Sequence, residues 1–269
     1  PNIYISDENI FNSKKFSFLN KQWNEIKLNN TLIEYIDVEI NIDKNNRTIF
    51  INQQSVDGKI IFLGGELNKW KISFEGVTEN NNLNGLKNSS NLTGCLSFYE
   101  VSFNKVSISS QNSVCEDSVN IIRSSGTVEE VIINNSISDS LDVDFSEIIF
   151  EKVKILNSHN DCIDFSYGRY VLNKVDLLNC TDKGVSVGEK TSMLIKEIDI
   201  NKALIGIASK DSSTTEIINA NIDNTEICLS AYRKKIEFAG GKLVLHTINC
   251  ENDINFFSDD SVVINKKNL

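Results

Sequence analysis

Along most of the chain apolar and polar residues alternate in short runs, the period of strands with one buried face. In DSLDVDFS, from Asp139, the alternation sends Leu141, Val143 and Phe145 inward and Asp142, Asp144 and Ser146 outward. In NDCIDFS, Ile163 and Phe165 point in and Asp164 and Ser166 point out. In DKGVSVGE, Val185 and Val187 go in, leaving Ser186 out and Glu189 at the strand end. The same rule puts Ile205, Ile207, Leu229 and Ala231 inside, and Asn120, Ser230 and Tyr232 outside. The runs recur. Segments opening at Asp117, Asp139, Asp161 and Asp182 start 22, 22 and 21 residues apart, and those at Ile205 and Ile227 are again 22 apart. Second strands lie between them (EEVIINNSI, EIIFEKVKILNS, RYVLNKVDLLNC, SMLIKEIDINK), each ending at or near Asn. Such a period predicts a solenoid of stacked coils. Neither the LxxLxLxxN spacing of leucine-rich repeats nor the Thr ladder of ice-binding solenoids is present. The predicted class is all-β: a right-handed single-stranded parallel β-helix with a short N-terminal cap.

Composition sharpens this picture. The only proline is residue 1, and asparagine fills roughly one position in eight, so tight Asn turns with side-chain ladders are expected between strands. Residues 1–30 are mixed and aromatic (Phe11, Phe16, Phe18, Trp23) and predict a partly helical cap over the open end, with the β-helix spanning 31–269. The polar stretch 76–93 breaks the period and predicts an insertion loop. Trp23 and Trp70 belong to cap or core, and His159 and His246 stand isolated, as structural or surface residues. Six scattered cysteines without a CxxC pair suggest reduced, buried thiols. A net charge of −10 argues against nucleic acid as a partner, and no apolar run of ~18 residues would insert into a membrane. A start on Pro1 without Met suggests a mature or excised segment, with other domains of a larger chain as partners.

The outward positions carry the candidate chemistry. Stacked at ~4.8 Å, they form one surface: Asn120 and Arg123, then Asp142 and Asp144, then Asp164, then Lys183, Ser186 and Glu189, then Lys210 and Asp211, then Tyr232, Arg233 and Lys234. Like charges in one ladder are unfavourable without compensation, which a shared proton, the neighbouring lysines or a hard cation such as Ca²⁺ held by Asp142, Asp144 and Asp164 would supply. Carboxylates crowded against lysines are how a site gains an acid or base working near neutral pH, so Asp142, Asp144, Asp164, Lys183 and Lys210 are the catalytic candidates. Glu100, Asn120, Arg123, Ser186, Glu189, Asp211, Tyr232 and Arg233 are the candidates for substrate binding. Asp117, Asp139, Asp161 and Asp182 read as turn or strand-entry residues.

The strings FYE (98–100), VNIIRS (119–124), DSLDVDFS, NDCIDFS, DKGVSVGE, IGIASKDSS (205–213) and LSAYRKKIEFAGG (229–241) together resemble a bacterial family of right-handed parallel β-helix proteins. Its members stand alone, near surface-polysaccharide loci, or fused to CotH-type kinase-like domains. The resemblance covers about residues 94–241 and implies a shared polar face at Glu100, Asn120, Arg123, Asp142, Asp144, Asp164, Lys183, Glu189, Lys210, Asp211 and Lys235. More broadly the fold looks like that of pectate lyases, polygalacturonases, alginate epimerases and phage tailspikes. The function expected is therefore carbohydrate-active, on a bacterial surface or acidic polysaccharide, by lyase, epimerase or hydrolase chemistry. No cofactor is required beyond the Ca²⁺ such a face would suit. The alternative is a non-catalytic glycan-binding or structural module. The cell envelope or the exterior is favoured over the cytoplasm.

Overall fold

The computed structural model describes residues 23–77, 92–251 and 254–266. They form a parallel β-solenoid of about 9 turns, without an α-helix among the described residues. Each central coil pairs a short strand (Gly94–Tyr99, Asp117–Ile122, Asp139–Asp144, Ile163–Ser166) with a 12-residue one (Ser102–Ser113, Ser125–Ser136, Glu147–Ser158). From Arg169 on, the long strand of one coil continues into the short strand of the next (Arg169–Gly188, Ser192–Lys210, Thr214–Tyr232). Before the solenoid the pairing is antiparallel: Asn24–Leu28 with Thr31–Ile36, Thr31–Ile36 with Lys59–Leu63, and Val38–Asp43 with Thr48–Gln53. Of the cap expected over 1–30, residues 1–22 lie outside the described residues, and the rest form the first strand and its turn, with no helical segment. Of the insertion expected over 76–93, residues 78–91 lie outside the described residues.

The core follows from the period. In-register pairing stacks Val119, Leu141, Ile163, Val185, Ile207 and Leu229 in one row, and Ile121, Val143, Phe165 and Val187 in the next. All are buried, each contributing roughly 1.5–3 kcal/mol by removal from water. Trp70 joins them. The long strands bend at a column of left-handed residues, Asn112, Asn135, Asn157, Asn179 and Asn224, where asparagine tolerates a positive φ. The side-chain amides rise along that corner: Asn135 donates to Asn112 at 3.1 Å, Asn157 to Asn135 at 2.9 Å and Asn179 to Asn157 at 2.8 Å. This is the expected ladder. At the fifth step Lys202 takes the left-handed position (φ 70°), and Asn224 reaches Asn201 instead.

Three sequence expectations are corrected here. The cysteines are not free thiols: Cys95–Cys115, Cys162–Cys180 and Cys228–Cys250 are disulfides with Cα–Cα distances of 5.4, 5.3 and 6.2 Å. Cys162 and Cys228 lie in one inner column with Ser140, Gly184 and Gly206, where each coil closes on itself. In the Ser140 coil the same link is a hydrogen bond, to Ser136. Separations of 20, 18 and 22 residues, each near one period, bring the partners together. Phe145 does not point inward. It sits one residue past the strand, at a corner with φ 51°, and is 53% exposed. Ile205 is half-buried and stacks on Lys183, on the outward side, because Gly206 and Ile207 both face the interior.

Candidate functional site

Three columns cross the short-strand face. The middle one runs Ser97, Asn120, Asp142, Asp164, Ser186, Ala208 and Ser230. The second runs Tyr99, Ile122, Asp144, Ser166, Gly188, Lys210 and Tyr232. These are the outward positions the alternation predicts. The third column stacks Asp117, Asp139 and Asp161, which the sequence suggests as turn residues, in register with the catalytic candidate Lys183. Asp182 is displaced from it by one residue, which is why the third interval in sequence is 21. Buried Lys59 lies at its lower end and Lys183 at its upper end, so three stacked aspartates run between two lysines.

The burial of these carboxyls sets their chemistry. Asp139 is pushed up to about 7, by burial first and then by the charges of Asp161 and Asp117. Asp117 rises to about 6 by burial, although the Thr93 hydroxyl donates to it at 2.5 Å. Asp161 rises to about 6 by burial against the pull of Lys183, whose Nζ is 3.3 Å away. Asp142 is held well above the ordinary carboxylate range by burial and by the neighbouring Asp117, Asp144 and Asp164 charges, and accepts a 2.8 Å hydrogen bond from Asn120. Asp144 is pushed up to about 7 by burial, with Asp164 and Asp117 adding to it. Lys59 falls to about 8 through burial, its Nζ donating to Thr93 O at 2.9 Å.

The lysines are counter-ions. Lys210, only 3% exposed, runs back two coils so that its Nζ lies 3.8 Å from Asp164 Oδ1. Gly188 opens that route, since a Cβ there would lie 3.3 Å from Lys210 Cε. Lys183 pairs with Asp161 and Asp182; burial opposes its charge, but these two acids outweigh it and hold the ammonium protonated above the usual lysine value. Glu189 is buried and accepts from Ser166 and from Lys235 at 2.5 Å. Burial opposes its charge, yet these donors keep its carboxyl below the ordinary range.

The predicted binding residues divide. Asn120 and Ser186 lie on the face itself, and Glu189, at the corner beside it, accepts from Ser166 of the second column. Tyr232 lies in the second column, its hydroxyl raised by burial and its ring 6.1 Å from Phe256. Glu100 and Arg123 form an exposed corner pair at 3.8 Å, with Arg123 also donating to Tyr99 at 2.8 Å. Arg233 turns to Asp260 at 3.4 Å. Asp211 is fully buried and organises the chain: its Oδ1 accepts from the Lys234 and Lys235 amides at 2.7 and 2.8 Å, shaping the 233–239 loop. Four buried polar atoms of the middle column have no hydrogen-bond partner: Asn120 Oδ1, Asp164 Oδ1, Ser186 Oγ and Ser230 Oγ. Among the described residues no group of three His, Cys, Asp or Glu side chains is arranged to hold a metal ion. His159 and His246 lie away from the face, bonded to Ser136 O and Glu216 at 2.9 and 2.8 Å.

No family model, curated protein or solved structure matches this chain. Of the missed residues, Asp117, Asp139 and Asp161 had a signal in the sequence, and Lys59, outside the 22-residue recurrence, had none. The exact 22-residue recurrence of Asp, closed by Lys183 one period later, is what a stacked column produces.

Proposed function

We propose that the short-strand face is the active site of a carbohydrate-active β-helix protein that cleaves a polysaccharide, on a bacterial surface, by carboxylate acid/base catalysis. The observation that carries this reading is the pairing of a protonated carboxyl with a charge-compensated one on adjacent strands. Asp144 titrates near neutral pH, so it can give a proton to a glycosidic oxygen. Asp164, with the Lys210 ammonium at 3.8 Å, is the carboxylate that activates water or attacks the anomeric carbon. Asp142 adds a second proton store, and Asn120 fixes its orientation. Buried polar atoms call for partners, and sugar hydroxyls or water would supply them at Asn120, Ser186 and Ser230. The kinship with the polysaccharide-associated β-helix family belongs to this reading.

Within this reading hydrolysis is favoured over lyase or epimerase chemistry. Those reactions need a base at the proton alpha to a uronate carboxylate, and a lysine held protonated, as Lys183 is, serves poorly. An excess of carboxyls on the face also suits a neutral glycan better than a uronate. Three disulfides favour an oxidising compartment, the cell envelope or the exterior.

The test is incubation with a panel of bacterial surface polysaccharides and scoring of new reducing ends. Asp144→Asn should lower turnover at least 100-fold while glycan binding persists, and EDTA should change nothing. An unsaturated uronate product that depends on Lys210 and Ca²⁺ would shift the assignment to a lyase. Binding of glycans with no cleavage of any would leave a non-catalytic binding module.

A further inference from the structure

The corner bordering the acid column carries side chains that the proposed catalysis does not use. Six left-handed residues stack there: Glu100 (φ 58°), Arg123 (50°), Phe145 (51°), Tyr167 (49°), Glu189 (50°) and Asp211 (53°). Glu100, Arg123 and Glu189 pair with neighbouring side chains, and Asp211 Oδ1 accepts from the Lys234 and Lys235 amides. Phe145 and Tyr167 are different. A bulky aromatic residue at positive φ is an outlier that costs free energy, and two occur in consecutive coils. Both rings are exposed, Phe145 by 53% and Tyr167 by 38%. They stack face to face, with centroids 4.7 Å apart and an interplanar angle of 5°. Tyr167 meets Phe238 edge-on at 6.3 Å, and Lys190 lies 5.8 Å from the Phe238 ring. The rim is thus an aromatic row of three.

The row is held rigid from beneath. The buried Tyr170 hydroxyl lies 3.1 Å from both Val143 O and Ser166 O, sharing its hydrogen, and accepts from the Ser146 amide at 3.2 Å. The Ser146 hydroxyl donates to Asp144 O at 2.7 Å. These bonds flank Phe145 and Tyr167 in sequence and tie down the backbone that carries the two rings. Phe145 is the residue next to Asp144, so one peptide unit connects the row to the acid. Phe238 sits on the 233–239 loop that Asp211 shapes and whose Lys235 contacts Glu189.

Stacked exposed rings beside a row of carboxyls and unpaired hydroxyl and amide oxygens match one ligand chemistry. A pyranose has an apolar C–H face and an equator of hydroxyls, so it needs both surfaces at once. We infer that Phe145 and Tyr167, with Phe238, form a sugar-stacking platform that seats one hexopyranose ring of an uncharged glycan against the Asp144 edge of the face. This inference rests on the proposed glycan function. Since Phe145 stacks on Tyr167 one coil up, its second ring face is turned toward the Arg123 coil.

The experiment is a glycan array of neutral, amino-sugar and uronate polysaccharides, probed with the whole protein, its Phe145→Asn and Tyr167→Asn variants, and a Glu129→Gln control. Asparagine removes each ring but tolerates the left-handed backbone, so thermal midpoints should hold or rise. The inference predicts retention on neutral glycans, about tenfold weaker for each ring variant and unchanged for Glu129→Gln, an exposed residue of the long strand away from the face. Equal retention by the ring variants and the parent would overturn the platform while leaving the glycan function in place. Retention of uronate polymers alone would overturn the uncharged-glycan assignment. A parent protein that retains no glycan would overturn both this inference and the function on which it rests.

Discussion

At the residue scale the unusual expense of this fold is the Asp117–Asp139–Asp161 stack. Each carboxyl has its pKa raised above 3.8 on folding, so the native chain binds more protons than the unfolded one between roughly pH 4 and pH 7. The stability these groups allow is fully present below about pH 4 and is lost progressively as pH rises from there through the folded values of about 6 to 7. For Asp139 alone, a rise from 3.8 to about 7 corresponds to a cost on the order of 4 kcal/mol above pH 7. Asp139→Asn keeps the acceptor for the Asp161 amide, now 2.9 Å away, and removes the charge. Scanning calorimetry should show the parent melting at lower temperature at pH 8 than at pH 5. The variant should melt several degrees higher at pH 8, less so at pH 5, and almost unchanged at pH 4. A variant that destabilises equally at every pH would mean the carboxylate is satisfied when ionised. Sequence alone hid this cost, because an Asp at a repeat start is ordinarily a turn residue. Only the register, with Lys183 rather than Asp182 in the fourth place, turns the recurrence into a column.

At the scale of the element, the corners explain both what was legible and what was not. The asparagines closing each long strand were visible as a ladder because the same residue type recurs every 22 or 23 positions. Asn157 illustrates its two roles: it donates to Asn135 at 2.9 Å, accepts from Asn179 at 2.8 Å, and holds φ 60°. Asn157→Gly relieves the backbone and loses the ladder, for an expected loss of about 1–2 kcal/mol in urea unfolding. Asn157→Ala adds the left-handed penalty and should cost about 1 kcal/mol more. Equal costs would show that the hydrogen bonds alone matter. The opposite corner was misread for a related reason. Alternation was extended one residue too far at Phe145, where the backbone has already turned left-handed and the side-chain direction no longer follows the strand. At Ile205 the error is reversed: two successive residues, Gly206 and Ile207, face inward, and the parity shifts. Period-2 reasoning is sound within a strand and fails where a coil turns, which is where this molecule places its aromatic rim.

Across the whole molecule, the solenoid converts a short sequence motif into a surface about 9 coils long. Its floor is apolar and its ends of coils are linked by disulfides, each worth about 3 kcal/mol for a loop of this length. The pairing was within reach of the sequence, since each cysteine finds its partner about one period away. The scatter of the six residues, judged without the period, suggested free thiols instead. A scaffold this rigid can hold like charges together that a looser one would splay apart. That is how the face can store protons at neutral pH, and the account stands or falls on this property. The most direct measurement is the ¹³C NMR titration of the aspartate side-chain carboxyls, assigned by Asp144→Asn, Asp142→Asn and Asp164→Asn variants. Because these groups interact, the resonances report the titration of the set. The account predicts an Asp144 carboxyl midpoint of about 7. A midpoint near the ordinary value of 3.8 would mean that the face is fully ionised at neutral pH, with no proton to give to a glycosidic oxygen.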